Sequence, residues 1–176
     1  MANREALREL QARLASRLQT ARAEGMSVAW LAVQAGGRKY LFPLSQSGEI
    51  VSLTLVQAVP YAVPWFRGVV NIRGGLFGVV DLAAFLGSEC GHAALAASGL
   101  EPSVVTLNAA LDVNCALQVD LLSGLRGADA FTQSHGPADG APPFFGNVFT
   151  DSAGETWQEI NLRTLSQFPQ FLSISA

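Results

Sequence analysis

Charge is scarce in this chain. Of 176 residues only 14% are Asp, Glu, Lys or Arg, while 49% are apolar. So little charge leaves room for an apolar face kept open for docking. Histidine and cysteine are scarcer still, with two of each: His92, His135, Cys90 and Cys115. The cysteines form no C-x-x-C pair and no disulfide-like framework, and read as two buried thiols of a reducing compartment. Cys90 and His92 together leave a metal site short of ligands, and both histidines fall in Gly/Ala/Ser-rich stretches that read as solvated loops. No H-E-x-x-H, no G-x-S-x-G elbow and no phosphate loop ending in G-K-[ST] occurs. With no base, nucleophile or metal set to build on, the expectation is a non-enzyme with no cofactor and no metal. Basic excess is missing too: the net charge is -3, so an electrostatic footprint for nucleic acid is not expected. No run of about 18 apolar residues exists. Arg67, Arg73 and Asp81 interrupt the most hydrophobic region, and the opening MANREALREL lacks the apolar core of a signal peptide. A cytoplasmic protein without direct membrane insertion is expected.

The charge that is present is unevenly placed. Residues 1–24 hold five Arg and three Glu, a balance of +2, which leaves -5 for the rest. Leu7, Leu10, Leu14, Leu18 and Ala21 recur in this leading segment at steps of three and four, the spacing of one helical stripe. Asn3 is a suitable N-cap and Gly25 a C-cap. The stripe has to bury against the body of the same chain or against a partner helix. Residues 1–25 are therefore set apart as an N-terminal amphipathic helix, and 26–176 as a single domain.

After Gly25 the periodicity changes to two. Strands are expected at 28–33, 38–44 and 49–56, the first two joined around Gly36-Gly37. An aromatic, proline-containing loop follows at 57–66. A hairpin then turns at Gly74-Gly75, a Gly-Gly pair between apolar runs, and a short helix at 82–86 ends at Gly87. Residues 87–102 read as a connection between two lobes. Further strands are expected at 104–107, 115–119, 144–150 and 156–160, with Pro- and Gly-rich 126–147 as loop. A last helix at 162–168 is capped by Asn161. Short strands and few helices make the chain mainly β.

The stretch Val63–Leu82, VPWFRGVVNIRGGLFGVVDL, resembles the motif P-x-[FW]-[IVR]-x-G-[VI]-x-N-[LI]-R-G-x-[IVL]-x-P-[VI]-[IVLM]-D-L of the CheW-like chemotaxis coupling proteins. Pro64, Gly68, Val69, Asn71, Ile72, Arg73, Gly74, Val79, Asp81 and Leu82 fall in register. Gly78 stands where that family usually has proline, so a looser strand is expected there. Ser103–Leu122 resembles the family's second-lobe strands, and Phe145-Gly146-Asn147-Val148 its later glycine-containing turn. The long leading helix and Phe-rich tail are similar to the branch that serves type IV pili and twitching motility.

This resemblance implies a CheW-like fold of two small five-stranded, SH3-like β-barrel lobes packed on a shared core, with a short C-terminal helix. It implies a non-catalytic adaptor in signal transduction for chemotaxis or twitching motility, located at membrane receptor arrays. The implied partners are the CheW-like regulatory domain of a CheA-like histidine kinase and the cytoplasmic tip of a methyl-accepting chemoreceptor. The implied partner-binding residues are Arg73, Gly68, Glu49, Ile50, Ser47 and Asn71. Arg73 either faces the receptor groove or braces the lobe by pairing with a carboxylate such as Asp81. Gly68 either admits a partner closely or meets a backbone need at strand entry. Ser47 replaces a residue that is more often aliphatic. Of Trp65 and Phe66, one is expected in the core and the other at the surface. The competing reading is a small β-barrel that binds a ligand or nucleic acid and has no link to chemotaxis.

Overall fold

A computed structural model describes residues 29–53, 55–88 and 102–176. The expected helix of residues 3–24, Cys90, His92 and most of the expected connection at 87–102 lie outside the described residues. The described chain runs β1 (Ala29–Ala35), β2 (Arg38–Pro43), β3 (Ser47–Ser52), β4 (Phe66–Ile72), β5 (Gly75–Asp81), α1 (Leu82–Phe85), β6 (Ser103–Leu107), β7 (Cys115–Val119), β8 (Leu121–Gly127), β9 (Phe131–His135), β10 (Phe145–Asp151), β11 (Thr156–Ile160), α2 (Leu162–Ser166) and α3 (Pro169–Leu172).

The strands form two sheets. One has six strands in the order β8-β1-β2-β11-β10-β9, the other five in the order β3-β6-β7-β5-β4. Both sheets curl toward closure, by a short connection in the larger and by backbone pairing in the smaller. In the larger one, the edge strands β8 and β9 are joined by a single 3-10 turn, Ala128–Ala130, so the two edges meet at that corner. In the smaller one, the chain beyond β3 crosses to β4 and exchanges two backbone hydrogen bonds, Gln57 N to Val69 O (2.8 Å) and Val69 N to Gln57 O (2.9 Å).

The two-lobe expectation holds, with corrections. One sheet has six strands rather than five. The lobes are also not consecutive in sequence. The larger is built from both ends of the described chain, and the smaller, β3 to β7, is inserted between them. Residues 87–102 therefore do not link the lobes: β5 and β6, which flank them, belong to the same sheet. The stretch 126–147, expected as loop, contains the end of β8 and all of β9. No residue of either strand is fully buried, and neither carries an alternation for burial to impose.

Burial follows the strand period. On β1, Trp30 and Ala32 point into the larger barrel, where they meet Leu41 and Trp157. Leu31, Val33 and Ala35 point outward, into an apolar layer between the lobes. The smaller barrel splits in the same way: Val79, Val104 and Ala116 fill its interior, and Val80, Val105, Leu117 and Val119 join the shared layer. Leu82, Leu162 and Leu165 from the short helices and Phe171 from the tail complete that layer. Cys115 lies within it, and burial pushes its thiol up to about 12. The layer is extended by an aromatic cluster in which Trp65 stacks on Phe171 at 6.3 Å and meets Phe85 edge-on at 5.0 Å. Trp65 and Phe66 are both partly buried against the core, so neither is the surface anchor expected of one of them.

The Asn161 cap read from sequence is borne out, and a second cap, at Asp81, was not read there. The Asn161 side chain accepts from Thr164 N (3.0 Å), and Asp81 accepts from Ala84 N (3.1 Å) at the start of α1. Asp151 holds the β10–β11 turn by accepting from Ala153 N, Glu155 N and Trp157 Nε1. The Trp157 hydrogen bond is the main cause that its carboxyl stays below the usual carboxylate range, against the effect of burial. Phe145-Gly146-Asn147-Val148, expected as a turn, is a bulge within β10, where the Glu159 carboxylate occupies the space beside Gly146. Gly78 is not loose either. Its N–H donates to Asn114 O (3.0 Å), a bond that proline could not make.

Gly68 is where barrel closure demands glycine. Its φ is +134°, and a Cβ there would lie 2.1 Å from Gln57 O. Gly68→Ala is expected to cost about 2–4 kcal/mol, a fall of roughly 5–15 °C in melting temperature by calorimetry. Gly37→Ala, also at positive φ (+74°) but with open space around it, is expected to cost about 1 kcal/mol. Equal losses in the two variants would mean that the Gln57–Val69 closure contributes nothing.

Candidate functional site

The hairpin at the end of β4 does not turn where its glycines suggest. Ile72 pairs with Gly75, so the turn residues are Arg73 and Gly74, and Gly75 is the first residue of β5. Both turn residues have positive φ, 49° and 85°, the signature of a type I′ turn. The register decides this. A slip by one residue would turn buried Ile72 and Val79 out to solvent. The Asn71 side chain supports the turn by accepting from Gly74 N at 2.9 Å. Arginine is thus held in a left-handed conformation that disfavours residues with a Cβ by roughly 1–2 kcal/mol.

Opposite it, β3 carries a second irregularity. Ser47 pairs with Leu107 and Ile50 with Val105, so Gly48 and Glu49 together face Thr106 alone. Such a bulge re-aims side chains. Thr106 Oγ1 satisfies the displaced backbone by accepting from Glu49 N at 2.7 Å, and the lack of a Cβ at Gly48 makes room for that hydroxyl. Bulge and turn bring the two charges together: Arg73 Nε lies 3.1 Å from Glu49 Oε2, with the side chains 80% and 48% exposed. Beside the pair opens a cleft of about 320 Å³, floored by Ile72, Phe77, Leu107 and Val113 and rimmed by Asn108 and Asn114.

The six residues singled out in the sequence take different positions. Arg73, Glu49, Ile50 and Asn71 are exposed. Ser47 is buried and donates to Pro43 O at 3.1 Å. Gly68 is buried, and the space its missing side chain leaves is filled by Gln57 of the same chain. The pairing of Arg73 with Glu49 was not legible in sequence, where Asp81 was the named carboxylate. Asp81 instead caps α1, buried at the far end of β5. Leu76, exposed on the same hairpin, was also missed. Its exposure follows from the turn position, one residue earlier than the Gly-Gly pair suggests. Among the described residues, no three His, Cys, Asp or Glu side chains gather into a set able to hold a metal ion, and no helix is long and apolar enough to cross a membrane.

An exposed ion pair contributes about 0.2–1 kcal/mol, and glycine at position 73 would relieve a similar amount of backbone strain. Arg73→Gly is therefore expected to leave the melting temperature within about 4 °C of the parent. Arg73→Val, β-branched at the same φ, is expected to lower stability by about 2 kcal/mol in a urea titration. A valine variant as stable as the glycine one would remove the left-handed turn from this account.

Three comparisons with known proteins bear on this site. Residues 29–168 match the CheW-like domain. Over 166 residues the chain is 28% identical to protein PilI of Pseudomonas aeruginosa, spanning 93% of this chain and 89% of that protein. The crystal structure of scaffolding protein TtCheW from Thermoanaerobacter tengcongensis matches with a TM-score of 0.61 at 15% identity, covering 77% of this chain and 89% of that one. At that identity the likeness is one of fold.

Proposed function

The chain belongs to the CheW-like domain family, and we propose that it is a non-catalytic adaptor coupling a methyl-accepting chemoreceptor to a CheA-type histidine kinase. The likeness to PilI supports a place in type IV pilus signalling and twitching motility rather than in flagellar chemotaxis. The working location under this reading is the cytoplasmic face of a receptor array.

The observation that carries the proposal is the Arg73–Glu49 pair. The fold spends backbone strain at Arg73 and a bulge at Glu49 to hold two charges that add little to stability where they are. Groups held in that way fit a contact surface better than a brace. The cleft beside them has apolar walls and a polar rim, and half-exposed Ile50 follows Glu49 on β3. Such a surface suits the tip of a helical hairpin, which fills it with apolar anchors while polar contacts fix the register. In this proposal Arg73, Glu49, Ile50 and Asn71 touch the receptor. Ser47 and Gly68 act from beneath, by fixing the start of β3 and the closure onto β4.

The test is a binding titration of the full chain against two partners, a receptor cytoplasmic tip and the CheW-like domain of the kinase. Binding to both is expected at or below about 100 μM, near -5.5 kcal/mol. Arg73→Glu should weaken the receptor tip at least tenfold and leave the melting temperature and the kinase interaction unchanged. If neither partner bound at that concentration, the adaptor reading would fail. A charge reversal that unfolded the protein would make Arg73 a brace.

A further inference from the structure

Where the described chain begins, three neighbouring strands carry an uncovered apolar row. Leu31 points into the layer between the lobes, and Leu125 lies directly across from it on β8. Ala29, two residues earlier on the same face, pairs with Gly127 and accepts from Leu44 N at 3.0 Å on the other side. Residues directly opposite in antiparallel strands share a face, so Leu44, Ala29 and Leu125 all continue the inter-lobe face of the larger barrel. That face is closed by core at Leu31 and Phe42 but open beyond them, where Leu125 is 62% and Leu44 36% exposed. At its corner the Asp129 carboxylate lies 2.4 Å from where a Cβ of Gly127 would be, which sets a negative charge on the same face.

We propose that the leucine stripe of residues 3–24 folds back onto this row and covers it. Three observations single out that occupant. The sequence gives residues 3–24 a stripe of Leu7, Leu10, Leu14 and Leu18 that has to be buried. Between its C-cap Gly25 and Ala29 lie only Met26, Ser27 and Val28. Four Cα steps from Gly25 to Ala29 span at most about 14 Å, so the stripe is tethered close to the end of the row. The flanks of the stripe carry Arg13, Arg17 and Arg22, complementary to Asp129 and to an acidic body. The covering contact is internal to the chain and independent of which partners it serves.

Hydrogen exchange of the full-length chain, read by mass spectrometry, tests this. Amides of residues 7–21 are expected to exchange at least about tenfold more slowly than in the double variant Leu44→Glu/Leu125→Glu. Protection of β7, deep in the shared layer, serves as the internal control for folding. The reciprocal variant Leu10→Asp/Leu14→Asp should release the segment equally, with β7 again unchanged. Fast exchange of 7–21 in the parent chain overturns the proposal. So does protection that survives Leu44→Glu/Leu125→Glu, which would place the stripe elsewhere. Protection that grows with protein concentration would assign the row to a second copy and equally overturn it.

Discussion

The fold depends on strands that are buried on both faces. β1, β2, β5, β6 and β7 each send alternate side chains into their own barrel and the others into one shared layer. Neither barrel could keep its outer face apolar in water alone, so each is completed by the other. Large apolar side chains contribute roughly 1.5–3 kcal/mol each when fully buried. Phe42, Leu82, Val105, Leu117, Ile160, Leu162 and Leu165, all fully buried in that layer, make it the main source of cohesion. The chain path reinforces it. It enters the smaller barrel after β2 and leaves it before β8, so two chain crossings tie the lobes together.

That rigidity gives the surface its meaning. Barrel closure at Gln57–Val69 needs Gly68, and the closed barrel sets β3 against the β4–β5 hairpin. On this frame two local departures from regular geometry, the bulge at Gly48-Glu49 and the left-handed Arg73, bring opposite charges to the rim of an apolar-walled cleft. Each departure is satisfied by a neighbour, Thr106 in one case and Asn71 in the other. A protein that works by fixing the relative position of two others needs a surface of this kind, rigid in backbone and adaptable in side chain.

Much of this was legible in the sequence. Apolar alternation marked β1, β2, β6, β7 and β11 because burial imposes it, and the cap at Asn161 follows from local hydrogen bonding. Family resemblance placed the barrels. What stayed hidden depended on pairing at a distance. Hairpin register moved the turn from Gly74-Gly75 to Arg73-Gly74, since the burial of Ile72 and Val79 outweighs a local preference for glycine at both turn positions. β8 and β9 carry little burial to write a pattern into their residues. Which strands share a sheet, and that Arg73 meets Glu49 rather than Asp81, are consequences of closure and leave no mark in spacing.

The most direct test of the central claim, that the shared layer makes two barrels one body, is the unfolding of each lobe within the intact chain. Pulsed hydrogen exchange across a urea titration reports β10–β11 for the larger barrel and β4–β5 for the smaller. A common midpoint and slope are predicted for both hairpins. Two separated midpoints, with one barrel still protected after the other has opened, would contradict it.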